Sequence, residues 1–137
     1  MRRIDLIIIH CSATRSDRRF TFEDLDRCHC ARGWKGCGYH YYITRDGRLH
    51  FGRSEAVVGA HALHHNRHSI GICYEGGLDP SGSPADTRTA AQKQTLTALL
   101  VGLKADYPKA KIIGHNELPN VSKACPCFPA SEEYGNL

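Results

Sequence analysis

A mixed α/β domain, one sheet with helices packed on it, is what this sequence predicts, and three observations carry the prediction. Short β-branched runs, "LIIIH" and "KIIGH", lie toward opposite ends of the chain. Between them Leu96, Leu99, Leu100 and Leu103 recur at helical spacing, and Pro108 stops the pattern. Helices that follow and separate strands bury their apolar stripe on a sheet face.

The elements follow in order. "IDLIIIH", 4–10, reads as a strand apolar on both faces. Thr21 with Asp24 is a capping signature that opens a helix running to Gly33. Two aromatic-rich strands within 38–52 are joined at Asp46-Gly47, a strong hairpin signal. "SIGICYE", 69–75, is a further strand, and "GGLDPSGSPADT" after it is an exposed loop. The leucine helix spans Thr89 to Tyr107, "AKIIG" is the last strand, and the tail after His115 reads as irregular.

With 137 residues, 41% hydrophobic and 23% charged, the chain predicts a single domain over 1–137 with its own core. No apolar run approaches membrane-span length. The N-terminal "MRRIDLIIIHCSAT" superficially resembles a signal peptide, but Asp5 interrupts it and the apolar run falls short of the roughly 7–15 residues required. The expectation is a chain without a signal, cytoplasmic as synthesised, in a reducing compartment. Seven cysteines, an odd count, argue against a disulfide framework there. A net charge of +4 with scattered basic residues predicts no nucleic-acid partner, and a monomer is expected.

Both β-branched runs end in a histidine, His10 and His115. In open α/β sheets ligands bind outside the carboxyl ends of strands, so parallel neighbours would aim both rings into one crevice. A third donor comes from Cys125 or Cys127, which point the same way if the segment is extended. Two neutral imidazoles and one thiolate leave a tetrahedral Zn²⁺ one open position, as a catalytic site needs. The plainer alternative is that both histidines only cap buried strands. Lys123 would share a side with Cys125, and Glu117 with His115, by the same two-residue period. Tyr39, after Gly38, reaches the same rim. Zinc-activated water with a cationic or phenolic donor suits hydrolysis of an amide or ester.

Other candidates read as structural. Cys28 and Cys30 stand about 200° apart on a helix and cannot share a metal. His61, His64, His65 and His68 carry helical spacing, but Asn66 and the flanking glycines argue for a partly solvated loop. Cys11 faces away from its neighbour His10, His40 and Tyr41 are packing residues, and Trp34 reads as a core lid ahead of the alternative, a sugar platform on a glycan groove.

"HCSAT" (10–14), "GYHYYITRDG" (38–47), "VGAH" (58–61), "SIGI" (69–72) with "GG" after it, "GH" (114–115) and "KACP" (123–126) together resemble the zinc-dependent N-acetylmuramoyl-L-alanine amidases. This type-2 amidase family includes phage amidases and peptidoglycan recognition proteins. The resemblance covers nearly the whole chain in order. It implies a central mixed β-sheet flanked by helices, with a zinc site in a groove at the strand ends that takes peptidoglycan. It also implies zinc ligands at His10, His115 and Cys125, so it selects Cys125 over Cys127, and catalytic residues at Tyr39 and Lys123. The bond cleaved would join the lactyl group of N-acetylmuramic acid to L-alanine. "VGAH" places His61 on the groove wall as a substrate contact. Glu117 is expected as a partner of a zinc-bound histidine or as a general base. Two departures stand out: His68 precedes "SIG" where the family commonly has asparagine, which bears on substrate contacts, and Pro129 follows "CPCF".

Overall fold

The computed structural model describes residues 2–137. In chain order the elements are β1 (Leu6–Cys11), β2 (Thr14–Arg15), α1 (Phe22–Ala31), β3 (Tyr41–Ile43), β4 (Leu49–Phe51), β5 (Ser69–Tyr74), β6 (Gly77–Leu78), α2 (Ala90–Asp106), β7 (Lys111–Gly114) and α3 (Ala130–Tyr134). Five strands form one sheet in the order β4-β3-β5-β1-β7, and β2 pairs with β6 beside it. β1 runs parallel to both β5 and β7, whereas β3 and β4 form the antiparallel hairpin that makes the sheet mixed. Ile7, Ile8 and Ile9 are all fully buried because β1 is an interior strand covered on both faces, by the α2 leucines on one and by Ala62 and Leu118 on the other.

The side-chain period of two divides β1 between two environments. Ile7, Ile9 and Cys11 join Ile70, Ile72, Leu96, Leu100 and Leu103 in the core beneath α2. Ile8 faces the other way, onto Ala62 and Leu118, and His10 follows it on that face. Parallel registry sets Cys73 of β5 opposite His10, and Tyr42 of β3 opposite Cys73, in a second core with Leu25 of α1.

Both long helices start where the sequence predicts. Thr21 and Asp24 exchange side-chain and backbone hydrogen bonds in a capping box, and Thr89 does the same with Gln92. The hairpin turns at Gly47, whose φ of +84° suits glycine. Among the described residues no helix is long and apolar enough to cross a membrane.

The C-terminal tail is more ordered than its sequence suggests. A 3-10 turn spans His115–Glu117, and the chain closes on the core through Phe128 and, in α3, Ala130 and Tyr134. Arg88 fastens this segment. Its guanidinium donates to both Glu133 carboxylate oxygens at 2.8 Å and lies 3.4 Å from the Phe128 ring centroid. The sequence hides this lock because its partners are 45 residues apart. Pro129 becomes the N-cap residue of α3.

Candidate metal centre

The site is built from the carboxyl ends of two strands. β7 pairs with β1 so that Ile9 lies opposite Gly114, which brings His115, the next residue, beside His10. The two rings have centroids 4.4 Å apart. The third donor comes from the turns after β7: Cys125 Sγ lies 3.1 Å from the Cys11 backbone nitrogen, which donates to it. One donor atom each from His10, His115 and Cys125 lie within 4.8 Å of one another, close enough for one metal ion to draw in all three. Cys127 is elsewhere. Its backbone turns at φ +69°, and its thiol faces Gly77 O at 3.3 Å and Cys11 Sγ at 4.0 Å. The extended geometry that would make the two sulfurs equivalent is absent.

Electrostatics suit a cation. Burial, then the neighbouring His61 and His115, push His10 well below its ordinary value of 6.5, so its ring is neutral with a free lone pair. His115 is lowered too, by burial first and then by the Lys123 cation. These donors fit zinc: two neutral imidazoles and a sulfur, with the remaining side open to a cavity of about 420 Å³.

Tyr39, His61, Lys123 and Cys125 all line that cavity with His10 and His115. The Tyr39 ring centroid is 5.0 Å from that of His10. Burial raises the Tyr39 phenol well above its ordinary 10.0, so it keeps its proton. His61 Nδ1 lies 2.9 Å from His10 Nε2, a link invisible in the sequence.

Two expected residues stand outside the cavity. His68 belongs to the 3-10 turn Asn66–His68 and lines a separate surface depression with His64 and Arg67. Glu117 does not share a side with His115, because the chain curls into a 3-10 turn instead of extending. Its carboxylate accepts from Gly114 N at 2.6 Å and from the Ser131 hydroxyl, away from the cavity. It stabilises the backbone that carries His115.

The opposite wall is one the sequence reading does not anticipate. Trp34 is no core lid but lines the cavity with His29 and Arg32, all from the end of α1 or just after it. His29 accepts from Gly38 N at 2.8 Å and packs its ring on Trp34 at 4.7 Å. The one available signal is the "HCARGW" run, where a helix ending in glycine delivers an aromatic to an edge.

The family model described as N-acetylmuramoyl-L-alanine amidase matches residues 1–128. The chain belongs to that amidase family. A curated relative, the endolysin of Escherichia phage T7, is 42% identical over 124 residues, covering 90% of this chain and 81% of the phage protein. A peptidoglycan-recognition protein of Drosophila melanogaster is 28% identical over 128 residues, covering 90% of this chain and 68% of its own. Among solved structures, the endolysin N-acetylmuramoyl-L-alanine amidase LysCS from Clostridium intestinale superposes with a TM-score of 0.80 at 30% identity, covering 96% of this chain and 80% of LysCS. The mixed sheet with helices packed on it is the fold that the amidase and this chain share.

Proposed function

We propose that this chain is a zinc-dependent N-acetylmuramoyl-L-alanine amidase that acts on peptidoglycan in the cell wall, with one amidase domain spanning residues 1–137. The observation that carries the reading is the grouping of two neutral imidazoles and a thiol in a cavity that also holds Tyr39 and Lys123. The family match and the phage endolysin relatives support the same chemistry.

His10, His115 and Cys125 would hold the zinc. When bound there, zinc would polarise the scissile carbonyl and lower the pKa of water so that hydroxide is available near neutral pH. The chain's own groups do the rest. Tyr39, kept protonated by burial, donates its O–H toward the oxygen of the lactyl carbonyl as negative charge develops on it. Lys123 adds positive charge at the same cavity wall and so favours that charge over the neutral ground state. The oxygen of one water molecule bonds to the lactyl carbonyl carbon, and the amide C–N bond breaks. The protons of that water pass to the L-alanine nitrogen, which leaves as an amine while the lactyl group is left as a carboxylate. All three metal donors come from one chain, so a monomer suffices.

The test is digestion of purified sacculi by the zinc-loaded protein, with mass spectrometry of the products. New L-alanine amino termini on released peptides, with intact glycan strands, are expected. Released reducing sugars without new amino termini would make the protein a glycosidase. Retention on sacculi with no bond broken would make it a binding module.

A further inference from the structure

The imidazole of His61 is held on every side, and nothing in the proposed chemistry yet requires it. Its ring lies over Gly71 of β5, where an added Cβ would meet ring atoms at 2.6 Å. Gly59 is equally close, with a would-be Cβ 2.7 Å from the His61 ring. Asn66 Oδ1 clamps the backbone below by accepting from the N–H of His61 at 2.9 Å and of Ala62 at 2.8 Å. Gly71, Ile8 and His10 share one face of the sheet, so a ring laid on Gly71 abuts His10.

Both ring nitrogens of His61 are engaged. Nδ1 is 2.9 Å from His10 Nε2, and Nε2 is 3.3 Å from the Ser69 hydroxyl. No nitrogen remains to read a substrate. The three groups form a chain that can be polarised in two ways. In one, His10 Nε2–H donates to His61 Nδ1, His61 Nε2–H donates to Ser69 Oγ, and the His10 Nδ1 lone pair is free. In the other every proton sits on the opposite nitrogen, and His10 Nδ1 carries a hydrogen and cannot bind a metal.

We propose that His61, backed by Ser69, is a positioning residue that holds His10 in the tautomer and ring orientation whose Nδ1 is the metal-binding atom. The inference rests on the zinc-site reading above, and it reassigns His61 from substrate contact to support of a ligand. Partners of this kind fix the tautomer of a metal-bound imidazole and raise its basicity, and losing one typically lowers metal affinity about 10–100-fold. It also accounts for three separated sequence pieces at once. "VGAH" supplies the ring and one of its glycine walls, Asn66 fixes its backbone, and "SIG" supplies the terminal hydroxyl and the glycine floor.

The experiment is two-bond ¹H–¹⁵N correlation spectroscopy on histidine-labelled, zinc-loaded wild-type protein, combined with zinc affinity by chelator competition. The expected spectrum has His10 protonated at Nε2 and metal-shifted at Nδ1, with His61 protonated at Nε2. His61→Leu should weaken zinc binding about 10–100-fold. His61→Asn, whose amide oxygen replaces the Nδ1 acceptor, should recover most of that loss, and Ser69→Ala should cause a smaller one. Zinc bound through His10 Nε2, or His61 protonated at Nδ1, would overturn the inference while leaving the zinc site standing. So would wild-type zinc affinity in His61→Leu. A wild-type protein that takes up no zinc would overturn the zinc site and the inference together. The spectra need no variant, so a His61→Leu protein that fails to fold does not weaken the test.

Discussion

The two halves of the metal centre are built in opposite ways. His10 and His115 stand at the ends of two adjacent parallel strands, one interior and one at the sheet edge, held by ladder hydrogen bonds and by isoleucines with almost no exposure. Cys125 and Lys123 ride on a run of turns between the 3-10 turn His115–Glu117 and α3. The strand half is positioned by local registry. The turn half is positioned by what anchors its far end: Phe128 in the core, and Arg88 gripping Glu133. The strand half should therefore respond to substitution at its own residues and at the His61–Ser69 pair packed against His10, and the turn half to changes farther along the chain.

The most damaging test of that contrast is at the sulfurs. Cys125→Ser should lower zinc affinity by more than about 100-fold, since it removes a ligand itself and not only its support. Cys127→Ser, two residues on, should keep both zinc and hydrolysis, because its thiol faces Gly77 and Cys11. Metal analysis after dialysis separates the two, and equal losses would mean that the turn moves as a unit. Next in size, Lys123→Ala and Tyr39→Phe should each cost about 10²–10³ in kcat while leaving zinc content unchanged. A wild-type rate in either would remove that residue from the chemistry.

The anchor comes third. Arg88→Met keeps an apolar stem against Phe128 but loses the charged pairs to Glu133 and Asp86, and should cost about 2 kcal/mol in urea unfolding. If the turn half depends on its anchor, zinc affinity falls as well. A stability loss with unchanged affinity would show that Phe128 in the core anchors the turn without Arg88.

How much of this is legible in the chain differs between the halves for the same reason. Two β-branched runs each ending in histidine announce a strand-end site, because the period of a strand and the rule for ligand crevices are local properties. The capped helices and the Asp46-Gly47 hairpin are legible on the same grounds. The turn half is not. A two-residue period is valid only in extended backbone, and the 3-10 turn at His115–Glu117 and the positive φ at Cys127 break it for Glu117 and Cys127 alike. The Arg88–Glu133 lock joins residues 45 positions apart, and the His10–His61 contact joins residues 51 apart. The Trp34 wall likewise faces strand ends from distant parts of the chain, and no local pattern connects any of these.

Acid offers a smaller, graded probe of the buried imidazoles that flank the site, His61 beside His10 and His29 in α1. Burial lowers His61 to about 3 and His29 to about 4, against 6.5 in an unfolded chain. Between those values and 6.5 the unfolded state binds more protons than the folded one, so stability rises with pH and is lost as pH falls. Each histidine contributes at most about 1.4 kcal/mol per pH unit in its window. The metal-free protein should keep a constant Tm above about pH 7 and lose it steadily below pH 6.5, with His29→Gln flattening the slope. A Tm indifferent to pH down to about 5 would mean that these rings are hydrated and not buried neutral.

The smallest expected effect is the one that joins the halves. Glu117 reaches from the turn that follows β7 back to Gly114 N and across to Ser131 at the start of α3, so a single carboxylate ties the strand end to the C-terminal anchor. Glu117→Gln keeps the shape and one acceptor but removes the charge, and should cost about 1 kcal/mol or less. A catalytic base would behave differently, losing turnover by about 10²-fold or more at unchanged stability. Measuring kcat and unfolding together therefore decides between a strut and a base. A turnover loss confined to kcat would also mean that the carboxylate swings into the cavity in solution, so that the turn half moves against a fixed strand half.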